Sequence, residues 1–348
     1  MVGTYKCPGC GAPIEFNSQA GELVCSYCGT HVDVSKMNAE TDKYDCVVED
    51  LEKEDAQYGD FDSYKCSNCG AEILTDENTS ATSCSYCGSP AIIKERLRGQ
   101  LMPKSLIPFK HNREIAKDEF RKWTKKGMLT PACFRKEATI DSIKGIYVPF
   151  WLYDYNVHVD MMANATKVRT ERKGNTEYTH TSHYQVNRVM DCSFTKIPAD
   201  ASEKMPDSVM DKLEPFNYNE LRKFEMPYLS GYSSEKYNYT KEEMNYRAES
   251  RARGYAFTEC RNSIIGYSSV NVVHSNTRLQ RLGATYSLLP VWILNYVFKG
   301  KQYMFAMNGQ TGKIVGELPI SKGKAAAWFG GVFAGVSALL LLLGGILG

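Results

Sequence analysis

Eight of the chain's twelve cysteines fall into two copies of one frame, a C-x-x-C pair followed after fourteen residues by a second C-x-x-C pair. Cys7 and Cys10 precede Cys25 and Cys28, and 59 residues later Cys66 and Cys69 precede Cys84 and Cys87, with CSYCG closing both copies. Two cysteines three apart bring both sulfurs onto one ion when the backbone between them turns tightly, and Gly11, Gly29, Gly70 and Gly88 follow the pairs where such a turn needs them. Four thiolates close a tetrahedral site and leave no coordination position for water, so the frame predicts two structural Zn2+ ions. Redox C-x-x-C motifs do not come as matched pairs of pairs.

The pattern resembles the zinc ribbon of the type found in transcription factor IIB, over roughly residues 5 to 34 and 64 to 93. Ribbons bind nucleic acid or protein, so local charge has to choose between them. Lys6 and Lys36 stand against Glu15, Glu22 and Asp33 in the first copy, and Lys65 stands against Glu72, Asp76 and Glu77 in the second. Two filled four-thiolate sites would move the formal net charge from +2 to −2. A phosphate-reading surface needs clustered lysine and arginine. Protein binding is the expectation.

The segment between the copies is acidic, with ten carboxylates against Lys43 and Lys53, a short helix expected near 47–56, and Cys46 as a spare thiol. After the second copy the sign reverses, with thirteen basic residues against four acids over 92–136. A helix is predicted from Arg113 to Lys126 with Ile115, Ala116, Phe120 and Trp123 on one face. Its basic face is either solvated and paired with the acidic linker, or touches anionic lipid or, as a third reading, nucleic acid.

From about Ile140 onward, aromatic and β-branched runs predict strands. YVPFWLYDY at 147–155 is echoed by LLPVWILNY at 288–296, which suggests two related β units. Thr240 and Glu243 form a capping box opening a helix that runs to about Arg261, and MNGQTGK has hairpin-turn chemistry. Its GQTGK portion, Gly309 to Lys313, has the wrong spacing for a phosphate loop. His180 and His183 fall on opposite faces of a strand, and Cys133, Cys192 and Cys260 have no histidine partner in any catalytic pattern. No enzyme is expected.

The last 24 residues, Ala325 to Gly348, carry no charge. At about 1.5 Å per residue they are long enough for a hydrocarbon core of about 30 Å, so a transmembrane helix is expected, with Lys322 and Lys324 holding the N-terminal bulk in the cytoplasm. Gly331 and Gly335 would permit close helix packing, and homo-oligomers through the span. No secretory leader is expected in MVGTYKCPGC.

The expected fold is multidomain and β-rich α+β. Its parts are ribbon 1 (1–36), an acidic linker (37–63), ribbon 2 (64–93), a basic linker with a helix (94–139), a strand-rich cytosolic domain with an internal duplication (140–324) and the membrane helix (325–348). With the ribbons, the IPF at 107–109, YVPFWLYDY, FAMNGQTGKIVGELP and the terminal span in that order, the chain resembles a family of bacterial membrane proteins with a TFIIB-type zinc ribbon. Members are often labelled primosomal or helicase-like. The resemblance implies a place in envelope-stress operons beside a phage-shock protein A homologue and an SPFH-type protein, and a role in localising such partners at the cell membrane. It carries over no catalytic residue, and only the eight ribbon cysteines transfer. The expected function is therefore a tail-anchored, non-enzymatic adaptor contacting such a protein and the lipid bilayer. The alternative is a nucleic-acid module linked to replication or transcription.

Overall fold

A computed structural model of the chain describes residues 5–10, 12–37, 58–66, 69–75, 86 and 92–347. The first ribbon is a four-stranded sheet of β1 (Tyr5–Lys6), β2 (Pro13–Asn17), β3 (Glu22–Val24) and β4 (His31–Val32) in chain order, closed by the short helix α1 (Val34–Met37). The acidic helix expected near 47–56, and Cys46, lie outside the described residues. Then come β5 (Tyr58–Cys66), β6 (Glu72–Thr75), β7 (Ile92–Leu101) and β8 (Ser105–Leu106). Next, α2 (Arg113–Lys126) occupies the predicted span, with the Asn112 side chain accepting from the Ile115 N–H at its start. The short α3 (Glu137–Ile140) comes after it.

Two 30-residue strands, β9 (Lys144–Lys173) and, far along the chain, β13 (Ser269–Phe298), dominate the remainder. Between them come β10 (Thr176–Asp200), α4 (Asp207–Leu213), β11 (Arg222–Lys223), β12 (Ser233–Glu235) and α5 (Lys241–Asn262). The chain ends with β14 (Lys301–Asn308), β15 (Ile314–Gly316) and α6 (Lys322–Leu347). β9 lies between β10 and β13, antiparallel to both, and β5, β6, β7, β8, β11, β12, β14 and β15 complete one eleven-stranded sheet.

The two sequence echoes are paired with one another. Pro149 lies opposite Leu288, Tyr147 opposite Pro290 and Gly145 opposite Trp292. Residues 146–153 are buried without alternation because this part of the sheet is covered on both faces. Ile146, Val148, Phe150 and Leu152 join Leu289, Val291 and Ile293 in one core with Met210, Leu213 and Phe216. Tyr147, Trp151 and Tyr153 join Tyr286, Leu288 and Trp292 in the other, with Phe109, Phe120 and the ribbon's Ile14 and Phe16.

The echoes also do the same job twice. Trp151 Nε1 donates to the Tyr239 carbonyl at 2.8 Å, and Trp292 Nε1 donates to the His111 carbonyl at 2.9 Å. Each acceptor sits one residue before the N-cap of a helix, Thr240 for α5 and Asn112 for α2. The Pro149 carbonyl accepts from the Ala201 N–H and the Pro290 carbonyl from the Gly309 N–H, both at 2.9 Å. In turn the Ala201 carbonyl receives the N–H groups of Asn238 and Tyr239, and the Gly309 carbonyl those of Lys110 and His111. Two strand-and-helix units thus share one wiring pattern, with the helix after the strands in one and before them in the other. Gly309 is glycine for a steric reason, since a Cβ there would come within 2.6 Å of the Phe109 ring.

Beyond the core, β9, β10 and β13 continue as a three-stranded arm. Val157, Val159, Met161, Ala163 and Ala165 of β9 are buried while their neighbours are not, so the alternation expected of a half-buried strand returns here. α5 covers this face with Met244, Ala248, Ala252, Ala256 and Cys260, spaced four apart. Its capping box is formed as the sequence expects, the Thr240 N–H reaching Glu243 Oε2 at 2.7 Å. Small side chains let the helix lie close on the sheet.

The expected membrane span is corrected. Among the described residues no helix is long and apolar enough to cross a membrane. The single-pass, tail-anchored placement and the cell-membrane localisation that rested on the span are accordingly not supported. A Cβ added at Gly331 or Gly335 would meet nothing within 4 Å, so neither glycine packs against another described part of the chain.

A buried carboxyl ties the second copy's region to this body. Glu235, 1% exposed on β12, accepts the Tyr86 hydroxyl, and the Tyr86 carbonyl accepts Asn295 Nδ2 at 2.5 Å. Burial outweighs the Tyr86 and Ser202 hydroxyls and pushes the carboxyl up to about 7. The unfolded chain gives up this proton near pH 4.3, so the folded state holds more protons between that pH and about 7. Stability contributed by the group is full below that window, declines through it and is flat above. Denaturant titrations should show a loss on the order of 3 kcal/mol from pH 4 to 8, absent in Glu235→Gln. Equal slopes for the two proteins would contradict this origin. Separately, Ala252→Leu should destabilise by about 1–3 kcal/mol through overpacking under α5, whereas Tyr246→Ala, at a position 69% exposed, should stay within about 0.5 kcal/mol.

Candidate metal centre

The first ribbon folds its two C-x-x-C pairs onto one point. Cys7 and Cys10 stand on the turn between β1 and β2, Cys25 and Cys28 on the turn between β3 and β4. The Cys7 N–H donates to the Ala12 carbonyl at 2.7 Å and the Cys25 N–H to the Thr30 carbonyl at 3.0 Å, which closes both turns. Gly29 has φ of +70°, a left-handed conformation that glycine adopts without steric cost.

All four sulfurs lie within 4.8 Å of one another. Cys7 Sγ is 3.5 Å from Cys28 Sγ, and Cys10 Sγ is 3.6 Å from Cys25 Sγ. A tetrahedral ion with metal–sulfur bonds of about 2.3 Å needs sulfurs about 3.8 Å apart, so the donor set fits a metal of that preference. Cys7 and Cys25 are buried, whereas Cys10 and Cys28 reach solvent. The Cys28 sulfur meets Thr30 Oγ1 at 2.9 Å, and the hydroxyl together with the Thr30 backbone draws the thiol down to about 6. The Gly9 N–H points at Cys7 Sγ at 3.4 Å. Thiolate is the form that binds metal, and these contacts favour it. Sequence reasoning missed Thr30; its place two residues beyond Cys28 is the one signal that could have found it.

The second copy is described in part. Cys66, buried, and Cys69, half-buried, sit on a turn closed as in the first copy, with the Cys66 N–H donating to the Ala71 carbonyl at 2.9 Å. Cys84 and Cys87 lie outside the described residues. Among the described residues, one four-cysteine group could hold a metal ion, that of Cys7, Cys10, Cys25 and Cys28.

The two CSYCG tyrosines have opposite fates. Tyr27 is 88% exposed, whereas Tyr86 is 6% exposed, held by its bond to Glu235. Ribbon 1 is nevertheless fixed to the body through its other side. Phe16 meets the Tyr228 ring edge-on at 5.0 Å, and Ser230 Oγ donates to the Ile14 carbonyl at 2.9 Å. Its metal knuckle therefore faces solvent from a fixed base.

The remaining sequence candidates do not assemble. His180 and His183 lie exposed on β10 opposite Arg169 and Thr166 of β9. Cys260 is buried beneath α5, and Gly309–Lys313 is a turn organised by Asn308, whose Oδ1 accepts the N–H groups of Gln310 and Thr311. Elemental analysis of purified protein should show one equivalent of bound metal lost in Cys25→Ser, and chelation should lower the melting temperature of the parent by more than that of the variant. Unchanged metal content would remove the site.

No protein-family model matches the chain, and no solved structure matches it. The uncharacterized protein YdjG of Bacillus subtilis (strain 168) is 43% identical over 353 residues, an alignment that covers 99% of this chain and 99% of that protein. With identity of that extent from the ribbon cysteines to the terminal helix, the chain belongs to the family of Bacillus subtilis YdjG.

Proposed function

We propose that the chain is a non-enzymatic adaptor that docks a protein partner on its first, zinc-loaded ribbon. The observation that carries this reading is Tyr27, an exposed aromatic at the tip of a four-cysteine knuckle whose base is fixed to the body. Tyrosine is favoured in protein interfaces because it offers large contact area at low entropic cost and a polar end. A closed four-thiolate site supports the shape of the knuckle and leaves no position for metal catalysis. Zinc suits such a thiolate set, and a second zinc on Cys66, Cys69, Cys84 and Cys87 is part of the same proposal. The partner class is the one the family resemblance implies, an SPFH-type or phage-shock protein A-like protein.

The basic face of α2 argues against the nucleic-acid alternative. Lys117 is paired with Glu114 and Asp141, Arg121 with Asp118, and Lys122 with Glu119. Cations already neutralised by neighbours three residues away release few counterions from a phosphate backbone.

A photo-crosslinking amino acid at position 27, in cells that make the chain natively, should yield a discrete protein adduct that position 246 does not. Once the partner is identified from the adduct, Tyr27→Ala should weaken binding by about 2 kcal/mol, roughly thirtyfold in Kd. Nuclease-sensitive adducts, or equal labelling from both positions, would overturn the reading.

A further inference from the structure

Beside the root of the arm lies a cavity of about 890 Å³, enclosed by the segment before β8, by β11, and by the region where β10 leaves the arm. That volume lies in the range of pockets that take small organic ligands. Four cations line it, Lys104, Lys196, Arg222 and Lys223, against the single carboxylate of Asp154. Asp154 offsets one of these four charges at most; among the described residues it makes no ion pair with any of them, and its Oδ1 accepts the Lys196 backbone N–H at 2.8 Å. None of the four has a carboxylate partner among the described residues; Lys196 Nζ reaches only the Tyr218 carbonyl, at 3.3 Å. Two cations on α5 are by contrast closely paired, Arg247 with Asp200 and Asp207 and Arg251 with Asp211 and Glu214.

The backbone here is specially shaped as well. The register of β10 shifts between Phe194 and Ile197, and Lys196 has φ of +59°, a conformation disfavoured for lysine. Bulges of this kind redirect a side chain out of the sheet's alternation, and this one brings Thr195 and Lys196 to the cavity. The lining also carries the apolar side chains of Met102, Leu152, Leu221 and Phe224.

We infer that this cavity binds a small amphiphilic anion, a phosphate or carboxylate head held by Lys104, Lys196, Arg222 and Lys223 with an apolar body against Leu152, Leu221 and Phe224. Lys104, Arg222 and Lys223 are exposed and Lys196 is half-buried, and charged heads gain from cations that have no competing partner. The apolar wall adds affinity that a bare inorganic ion cannot collect.

Calorimetric titration of the full chain with hexyl phosphate should show one site, bound at least about tenfold more tightly than inorganic phosphate, with hexanol giving no saturable heat. Arg222→Gln with Lys223→Gln should weaken hexyl phosphate about tenfold or more, as loss of charged hydrogen bonds requires, while Arg222→Lys with Lys223→Arg retains it. Lys104→Gln provides a second, single-site variant should the double neutralisation unfold the protein. Hexanoate in a parallel titration decides which head is preferred, and saturable binding of either anion that depends on these cations supports the site. No saturable binding of either anion, equal binding of hexanol, or affinity unchanged by neutralisation overturns it.

Discussion

The antiparallel pairing of β9 with β13 is the constraint on which the other contacts depend. It aligns Tyr147 with Pro290 and Gly145 with Trp292, and by doing so sends alternate side chains of both strands into two separate cores. A slip of one residue would exchange the two sets and carry Trp151 and Trp292 away from the carbonyls they serve. Those carbonyls precede the caps of α5 and α2, so strand register also positions both helices. The shared wiring explains why the P-x-W part of the echo recurs: each copy needs a proline carbonyl and an indole donor at the same spacing. Gly309 and Ala201 show the limit of the equivalence, one crowded by Phe109 and the other not.

The ribbon duplication has diverged further than the strand duplication. In both copies the first knuckle closes with the same hydrogen bond, Cys7 to Ala12 and Cys66 to Ala71. One tyrosine of the repeated CSYCG nonetheless turns to solvent and the other enters the core against a buried carboxyl. Burying Glu235 has a cost that its hydroxyl partners only partly offset, and the group keeps its proton to about neutral pH as a result. Tyr86 of the second copy is therefore buried against the body, while Tyr27 and the knuckle of the first copy stay accessible.

Charge shows the same separation between pattern and place. The excess of lysine and arginine over 92–136 looks like one basic patch along the chain, yet in α2 three of the six cations, Lys117, Arg121 and Lys122, are paired with acids three residues away. Residues spread over the sequence, Lys104, Lys196, Arg222 and Lys223, instead gather at one cavity with the single carboxylate of Asp154. No window of sequence contains that cluster, because β8, β10 and β11 are brought together only by the sheet.

By itself the sequence determined the elements whose signals are local. Cysteine spacing identified the four-thiolate frame, apolar periodicity located α2, the Thr240 capping box located α5, and Asn-Gly chemistry marked the turn after Asn308. The uncharged stretch at the end of the chain suggested a membrane span, and no described helix is long and apolar enough to cross one. Tertiary structure alone decided that the two echoes pair with each other, that Tyr86 is buried while Tyr27 is not, and that four scattered cations line one cavity. The reason is range: capping, knuckle closure and turn formation involve groups a few residues apart, whereas strand register, burial and charge convergence are fixed by contacts between residues tens to more than a hundred positions apart.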